Sequence, residues 1–252
     1  MPGLGLDLPE QPNGGYASTR SPNQKPPMRG PFFPMAQNET GVRRVLRVPA
    51  IYRGLQWLAG QNRIYREFVL GHLRAKPGMR ILDVGCGTGD IIDWLPKGVT
   101  YHGVDVNPAY IGSSARRFTG RGTFSVGRAE AVAASAEGSF DLVIGIGLLH
   151  HLNDDAVRSF LTSSLGLIED TGRLVTIDPC LTNDQSWLAG VLVRRDRGTA
   201  VRAPERYADI VGQVFSVANC HVRHNMGWIP WTHCILEATR PPSNLKLDHA
   251  DD

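Results

Sequence analysis

From Arg80 to Thr239, strand-like and helix-like segments take turns along the chain, and this alternation limits the possible folds more than any other feature. "RILDV", "TYHGVDV", "GTFSVGRA", "FDLVIGIG" and "GRLVTIDP" read as buried strands. Among them, "DIIDWLP", "PAYIGSSARRF" and "DAVRSFLTSSLGLI" read as helices, with Pro108 at a natural first-turn position. "QSWLAGVLVRR" and "PERYADIVGQV" are further helices beyond the fifth strand. Strands separated by helices predict a parallel sheet covered on both faces. The rhythm breaks at the end, where "FSVANCHVRH" and "HCILEATR" are joined only by the loop "NMGWIPW". Two strands so connected must be antiparallel neighbours.

A chain of 252 residues can carry one domain plus decoration. Residues 1–44 hold nearly half of the 17 prolines, with glycine, serine and asparagine between them. Such a segment buries too little apolar surface to offset its ordering entropy, and a disordered tail is expected. Residues 45–241 form the expected domain, and 242–252 a polar tail. The domain opens on a helical cap: Ile51, Leu55 and Leu58, then Ile64, Phe68 and Leu73, recur at helical steps, with Gly60 splitting the run. A net charge of +3 requires neither nucleic acid nor an anionic membrane as partner. The four cysteines lack framework spacing, and no stretch reads as a signal peptide or membrane span. The expectation is a soluble, reduced, cytoplasmic protein.

"ILDVGCGTGD" follows the first strand with glycines at 85, 87 and 89. The dinucleotide fingerprint has one more residue before its third glycine, and the Lys-Ser/Thr of a Walker loop is missing. Asp83, at the strand end, would repel a pyrophosphate but welcome an ammonium group. Asp105, at the end of the second strand, suits a carboxylate that accepts both hydroxyls of a ribose. The two acids describe a ligand with a cationic amino-acid end and a nucleoside end, which S-adenosylmethionine satisfies.

"ILDVGCGTGD", "GVDVNPAYI", "FDLVIGIGLLHHLNDD" and "DTGRLVTIDP", in this order, resemble the class I S-adenosylmethionine-dependent methyltransferases. More narrowly, the chain is similar to small bacterial enzymes of that group acting on small molecules. The resemblance runs from about Tyr52 to Pro241 and implies a Rossmann-like α/β fold. Its sheet would have order 3-2-1-4-5-7-6 with strand seven antiparallel. It also implies that Asp83, Gly85, Cys86 and Gly87 meet the methionyl part of the cofactor and Asp105 its ribose. Val106 and Ala129 would lie beside the adenine, and Gly145 and Ile146 at the methyl-donor end. Arg128 stands where the family offers an acid to the adenine, so Glu130 is a substitute candidate.

Methyl transfer is an in-line displacement that needs alignment and, for some acceptors, a base. "LLHHLNDD" leaves the fourth strand beside the expected sulfonium, so His150 and His151 are the candidate bases. A histidine packed under the cofactor is the alternative. After the fifth strand, an arginine-rich run contains Arg197 and Arg202. It suits an anionic acceptor or, equally, a solvated helix with an internal Asp196–Arg pair. Trp228 and Trp231 supply an apolar wall for the acceptor, or cover the sheet's end. His221 and His224 point to opposite faces of a strand, so no metal is expected. The Asn/Asp-Pro-Pro-aromatic motif of base-amine methyltransferases is missing after the fourth strand, and nucleic acid is not the expected acceptor. The function expected is O-methylation, ahead of N or C, of a small and possibly acidic molecule. The alternatives are a cofactor-binding protein without transfer activity and an NAD(P)-binding oxidoreductase.

Overall fold

The computed structural model describes residues 60–133, 140–195, 198 and 200–240. The expected tails at 1–44 and 242–252, the first half of the helical cap, Asp196 and Arg197 lie outside the described residues.

Seven strands form one sheet in the order β3-β2-β1-β4-β5-β7-β6. They are β1 (Arg80–Val84), β2 (Thr100–Asp105), β3 (Thr123–Val126), β4 (Phe140–Ile146), β5 (Ile168–Pro179), β6 (Val217–His224) and β7 (Thr232–Thr239). Neighbours are parallel from β3 to β5, while β7 runs antiparallel to both β5 and β6. This is the order and direction expected from the sequence. A parallel run buried on both faces accounts for the apolar continuity of "ILDV" and "LVIGI".

The period of two divides the core between the faces. Leu82, Val104, Val143, Leu174 and Leu236 face α4 (Asp154–Leu167) and α6 (Pro204–Gly212), which contribute Phe160, Leu161, Tyr207 and Ile210. Ile81, Ile144, Val175 and Ile235 face α1 (Gln61–Phe68) and a following π-turn (Val69–Leu73), which contribute Phe68, Val69 and Leu73. The remaining helices are α2 (Pro108–Arg117), α3 (Ala129–Ala133) and α5 (Trp187–Arg194). Asn107 caps α2 by accepting from the Ala109 amide, and Asn153 caps α4 by accepting from Ala156. Asp154, within the first turn, is thereby left for another task.

One expected helix is shorter than the pattern suggested. "DIIDWLP" forms only a 3-10 turn, Asp90–Trp94. Gly89 enters it in the left-handed region, and Leu95 leaves extended at ψ 146° because the following Pro96 disfavours helical geometry there. The turn still buries Ile91 and Ile92.

The described part of the cap is tied to the sheet by a polar network around Glu237 of β7. Its carboxylate meets His72 Nδ1 at 2.8 Å, Arg173 at 3.4 Å and Arg74. Arg173 also donates to the His72 carbonyl at 2.8 Å and to the Leu73 carbonyl. His221 lies on this face, with Nε2 3.8 Å from Glu237, whereas His224 pairs with Thr232 Oγ1 at 3.1 Å. No helix among the described residues is long and apolar enough to cross a membrane.

Candidate active site

The strand ends of β1, β2, β4 and β5 converge on one edge of the sheet. There the Gly85 and Cys86 amides both donate to the Val104 carbonyl, at 2.8 and 3.0 Å, which folds the chain back over β2. Gly85 and Gly87 adopt φ values of 73° and 54°, a region that L side chains rarely occupy. A β-carbon on Gly87 would meet nothing within 4 Å, so the backbone there borders open space. Asp105 braces the turn: its Oδ2 accepts from the Gly87 amide at 2.9 Å and its Oδ1 from Asn107 at 2.8 Å.

Asp83 lies beneath the turn, only 1% exposed. Its Oδ2 accepts from the Tyr101 hydroxyl at 2.6 Å, while Oδ1 has no hydrogen-bond partner. Burial raises the Asp83 pKa to about 7 against the opposing Tyr101 bond, with nearby Asp105 adding to the rise. Asp105 is also raised by burial, with the two amide bonds opposing. Two carboxylates that resist ionisation, one with an orphaned oxygen, make this a site for a cationic donor-rich group. Cys86 is half-buried, and a β-carbon on Gly103 would lie 2.8 Å from its Sγ, so β2 needs glycine there. Val106 is exposed beside the edge and Ala129 is buried. Glu130, the substitute acid of the sequence reading, accepts from Ser159 of α4 at 2.8 Å and so engages that helix.

At the end of β4, Gly145 is buried and Ile146 half-buried. Leu148 next packs against both Gly145 and Gly85, linking the two glycine segments. His150 follows, 5% exposed, and meets a residue that the sequence reading missed. Asp178 of β5 accepts from the His150 backbone amide at 3.1 Å and from its Nδ1 at 2.8 Å, both at Oδ1. A carboxylate on Nδ1 orients the ring and places the imidazole lone pair on Nε2. The His151 ring lies against it, tilted by 39°, with ring centroids 4.0 Å apart. Asp178 read as a strand-end residue, and only the β4–β5 pairing brings it to His150.

The segment after α5 closes over the histidine. Ala200 donates to the His150 carbonyl at 3.0 Å. A β-carbon on Gly198 would lie 2.1 Å from His150 Cδ2 and 2.6 Å from its carbonyl oxygen. Gly198→Ala is therefore expected to cost about 1–3 kcal/mol through overpacking, read by urea unfolding. A cost below about 0.5 kcal/mol would mean that the segment yields freely.

Arg202 has a different task from the expected hold on an acceptor. It is 9% exposed and bonds the Leu149, Ala200 and Leu152 carbonyls at 3.0, 2.8 and 2.7 Å. It also bonds Asp154 through Nε at 3.0 Å and Nη2 at 2.7 Å. A guanidinium has five N–H donors, and these bonds engage all of them. Arg202 thus stitches the His150 turn to α4, and Arg206 shares Asp154. Trp228 is 73% exposed with Arg63 over its ring at 5.9 Å. Trp231 is half-buried against His233. Trp187, which the sequence reading passed over, is 80% exposed at the start of α5.

Residues 81–172 match the family model described as a methyltransferase domain. Over 132 residues the chain is 28% identical to an uncharacterised methyltransferase of Synechocystis, covering 52% of this chain and 60% of that protein. Over 130 residues it is 28% identical to the ubiquinone/menaquinone biosynthesis C-methyltransferase of Shewanella pealeana, covering 47% of this chain and 50% of that protein. The matched part thus spans between half and three fifths of these relatives. Among solved structures, a phosphoethanolamine N-methyltransferase of Haemonchus contortus superposes with a TM-score of 0.60 at 14% identity, covering 79% of this chain and 59% of that one. That likeness is one of fold.

Proposed function

We propose that this chain is a class I S-adenosylmethionine-dependent methyltransferase, as its match to the methyltransferase-domain model supports, and that it transfers a methyl group to a small-molecule acceptor. Oxygen is the favoured acceptor atom, ahead of nitrogen or carbon. The observation that carries the reading is the pair of buried carboxylates bracketing the glycine turn, on the same edge as the Asp178–His150 pair.

The residues fit the cofactor. Asp83 Oδ1 is a buried acceptor without a hydrogen-bond partner, the environment an ammonium group requires. In this reading Asp83 holds the amino end, the backbone at Gly85 and Gly87 lies along the methionyl part, and Asp105 takes the ribose. Val106 and Ala129 flank the adenine. Bound there, S-adenosylmethionine supplies a methyl group already activated on a sulfonium. The protein then has to exclude water, align the acceptor and take a proton from it. His150 Nε2 is the atom suited to that proton, and Asp178 stabilises the imidazolium that results. Trp187 and Trp228 offer apolar surface to the acceptor's body. With Arg202 and Arg206 held by Asp154, an anionic acceptor would depend on Arg194, Arg195 and Arg197.

The deep burial of His150 favours a second reading, in which the Asp178–His150 pair builds the floor of the site and carries no proton. The test of transfer is formation of S-adenosylhomocysteine against a library of small metabolites, after calorimetry with S-adenosylmethionine and NADH. Uptake of NADH in place of S-adenosylmethionine would overturn the family's cofactor for this chain. Binding without turnover on any acceptor would leave a binding protein.

The raised pKa of Asp83 gives a second test. Because the folded value exceeds the usual carboxylate value, this group favours the fold at low pH, and its contribution is lost as pH rises through about 7. Binding an ammonium partner has the opposite preference and draws the carboxyl into its ionised form. Affinity for S-adenosylmethionine should therefore fall as pH drops below about 7, by up to tenfold per unit, with proton release on binding. Calorimetry in buffers of different ionisation enthalpy reads this directly. Asp83→Asn should flatten the profile, and a flat profile in the unaltered protein would remove Asp83 from contact with the ligand.

A further inference from the structure

The antiparallel register of β6 and β7 sets Cys220 opposite Leu236 and Cys234 opposite Val222. The two cysteines are diagonal neighbours on one face of the sheet, and their Sγ atoms are 2.9 Å apart. Disulfide formation requires the sulfurs to approach by about a further 0.9 Å. Cys220 is half-buried on the edge strand, whereas Cys234 is 1% exposed in the core. We infer that Cys220 and Cys234 form a thiol-oxidation site, which reacts with a small-molecule disulfide of the glutathione class and closes to an intramolecular disulfide.

The chemistry divides the roles. The hydrogen bond between the two thiols lowers the Cys220 pKa, with burial opposing. The same bond, and burial, raise Cys234 strongly. Burial alone is the leading cause that raises Cys86, and that pushes Cys180 up to about 12. Cys220 is therefore the attacking thiolate. Its sulfur attacks one sulfur of oxidised glutathione, breaking that S–S bond and expelling one glutathione thiolate, which takes up a proton. Cys234 then loses its proton and attacks the Cys220 sulfur, forming the protein disulfide and expelling the second glutathione. Two protein thiols are oxidised, and one small disulfide is reduced to two thiols. The product covalently ties β6, whose only strand neighbour among the described residues is β7, to the rest of the sheet.

The experiment incubates the full chain with oxidised glutathione, quenches with acid, and counts alkylatable thiols in denaturant. The expected count falls from four to two, with a Cys220–Cys234 cross-linked peptide in the mass spectrum and no retained glutathione. Cys234→Ser should retain one glutathione on Cys220, and Cys220→Ser should react at least about tenfold more slowly. Persistence of four thiols in the unaltered protein, a bond through Cys180 or Cys86, or an adduct elsewhere in Cys234→Ser would each overturn the inference. The unaltered protein alone decides the first two outcomes, whatever the variants do.

Discussion

Replacing Asp105 with Ala is expected to lower affinity for S-adenosylmethionine by about a hundredfold or more. In the proposed site, two ribose hydroxyls on one carboxylate would make charge-assisted bonds of roughly 1.5–3 kcal/mol each, and losing both would remove most of the nucleoside's hold. The residue has a second task, since its oxygens also accept from Gly87 and Asn107. Removing it loosens the turn that Gly85 and Gly87 form, so both consequences act in one direction. Asp105→Asn keeps the shape and loses the charge, and it should fall between the two proteins. Calorimetry at pH 7.5 or so, beside a thermal scan showing a folded variant, is the measurement. A loss of less than about threefold in a folded Asp105→Ala protein would mean that the ribose sits elsewhere.

His150→Ala is expected to reduce turnover at least about a hundredfold, within the range of a lost general base. The Asp178 partnership sharpens this expectation. Asp178→Asn preserves the volume but lets the amide present a donor to Nδ1, which selects the wrong tautomer, so turnover should fall between about tenfold and a thousandfold. Cofactor affinity should hardly change in either variant. If turnover falls less than about threefold in His150→Ala with cofactor affinity intact, the pair is architectural. That outcome would favour the reading in which it forms the floor of the site.

The architecture was legible because it rests on local pattern. Strand–helix alternation and the single loop between β6 and β7 imply the parallel run and its antiparallel end without reference to distant contacts. The glycine turn was legible for the same reason, since its spacing and the acids at 83 and 105 are short-range features. Legibility failed at the helix boundary near Asp90, where Gly89 and Pro96 together leave room for one tight turn.

The candidate site was legible on one side only. The placement of Asp83, Asp105 and His150 on one edge of the sheet follows directly from strand ends. Asp178 did not, because its partner is distant in sequence and meets it through the pairing of β4 with β5. The arginine run suited a hold for an anion or a solvated helix, yet Arg202 places all five of its N–H donors on four internal acceptors. A guanidinium's partners are set by which carbonyls the fold leaves facing it. Gly198 carried no pattern at all, and only the proximity of the His150 ring explains why a side chain would not fit there.

The order of residues alone settles the strands, the helices other than the turn at Asp90, and where glycine and carboxylate must coincide, because hydrophobic period and turn chemistry act over a few residues. Which carboxylate orients His150, what occupies Arg202 and which cysteine faces which are outcomes of strand register and helix docking. A shift of register by one residue would turn Asp178 to the opposite face and separate the cysteines, although the local pattern of each strand would remain unchanged.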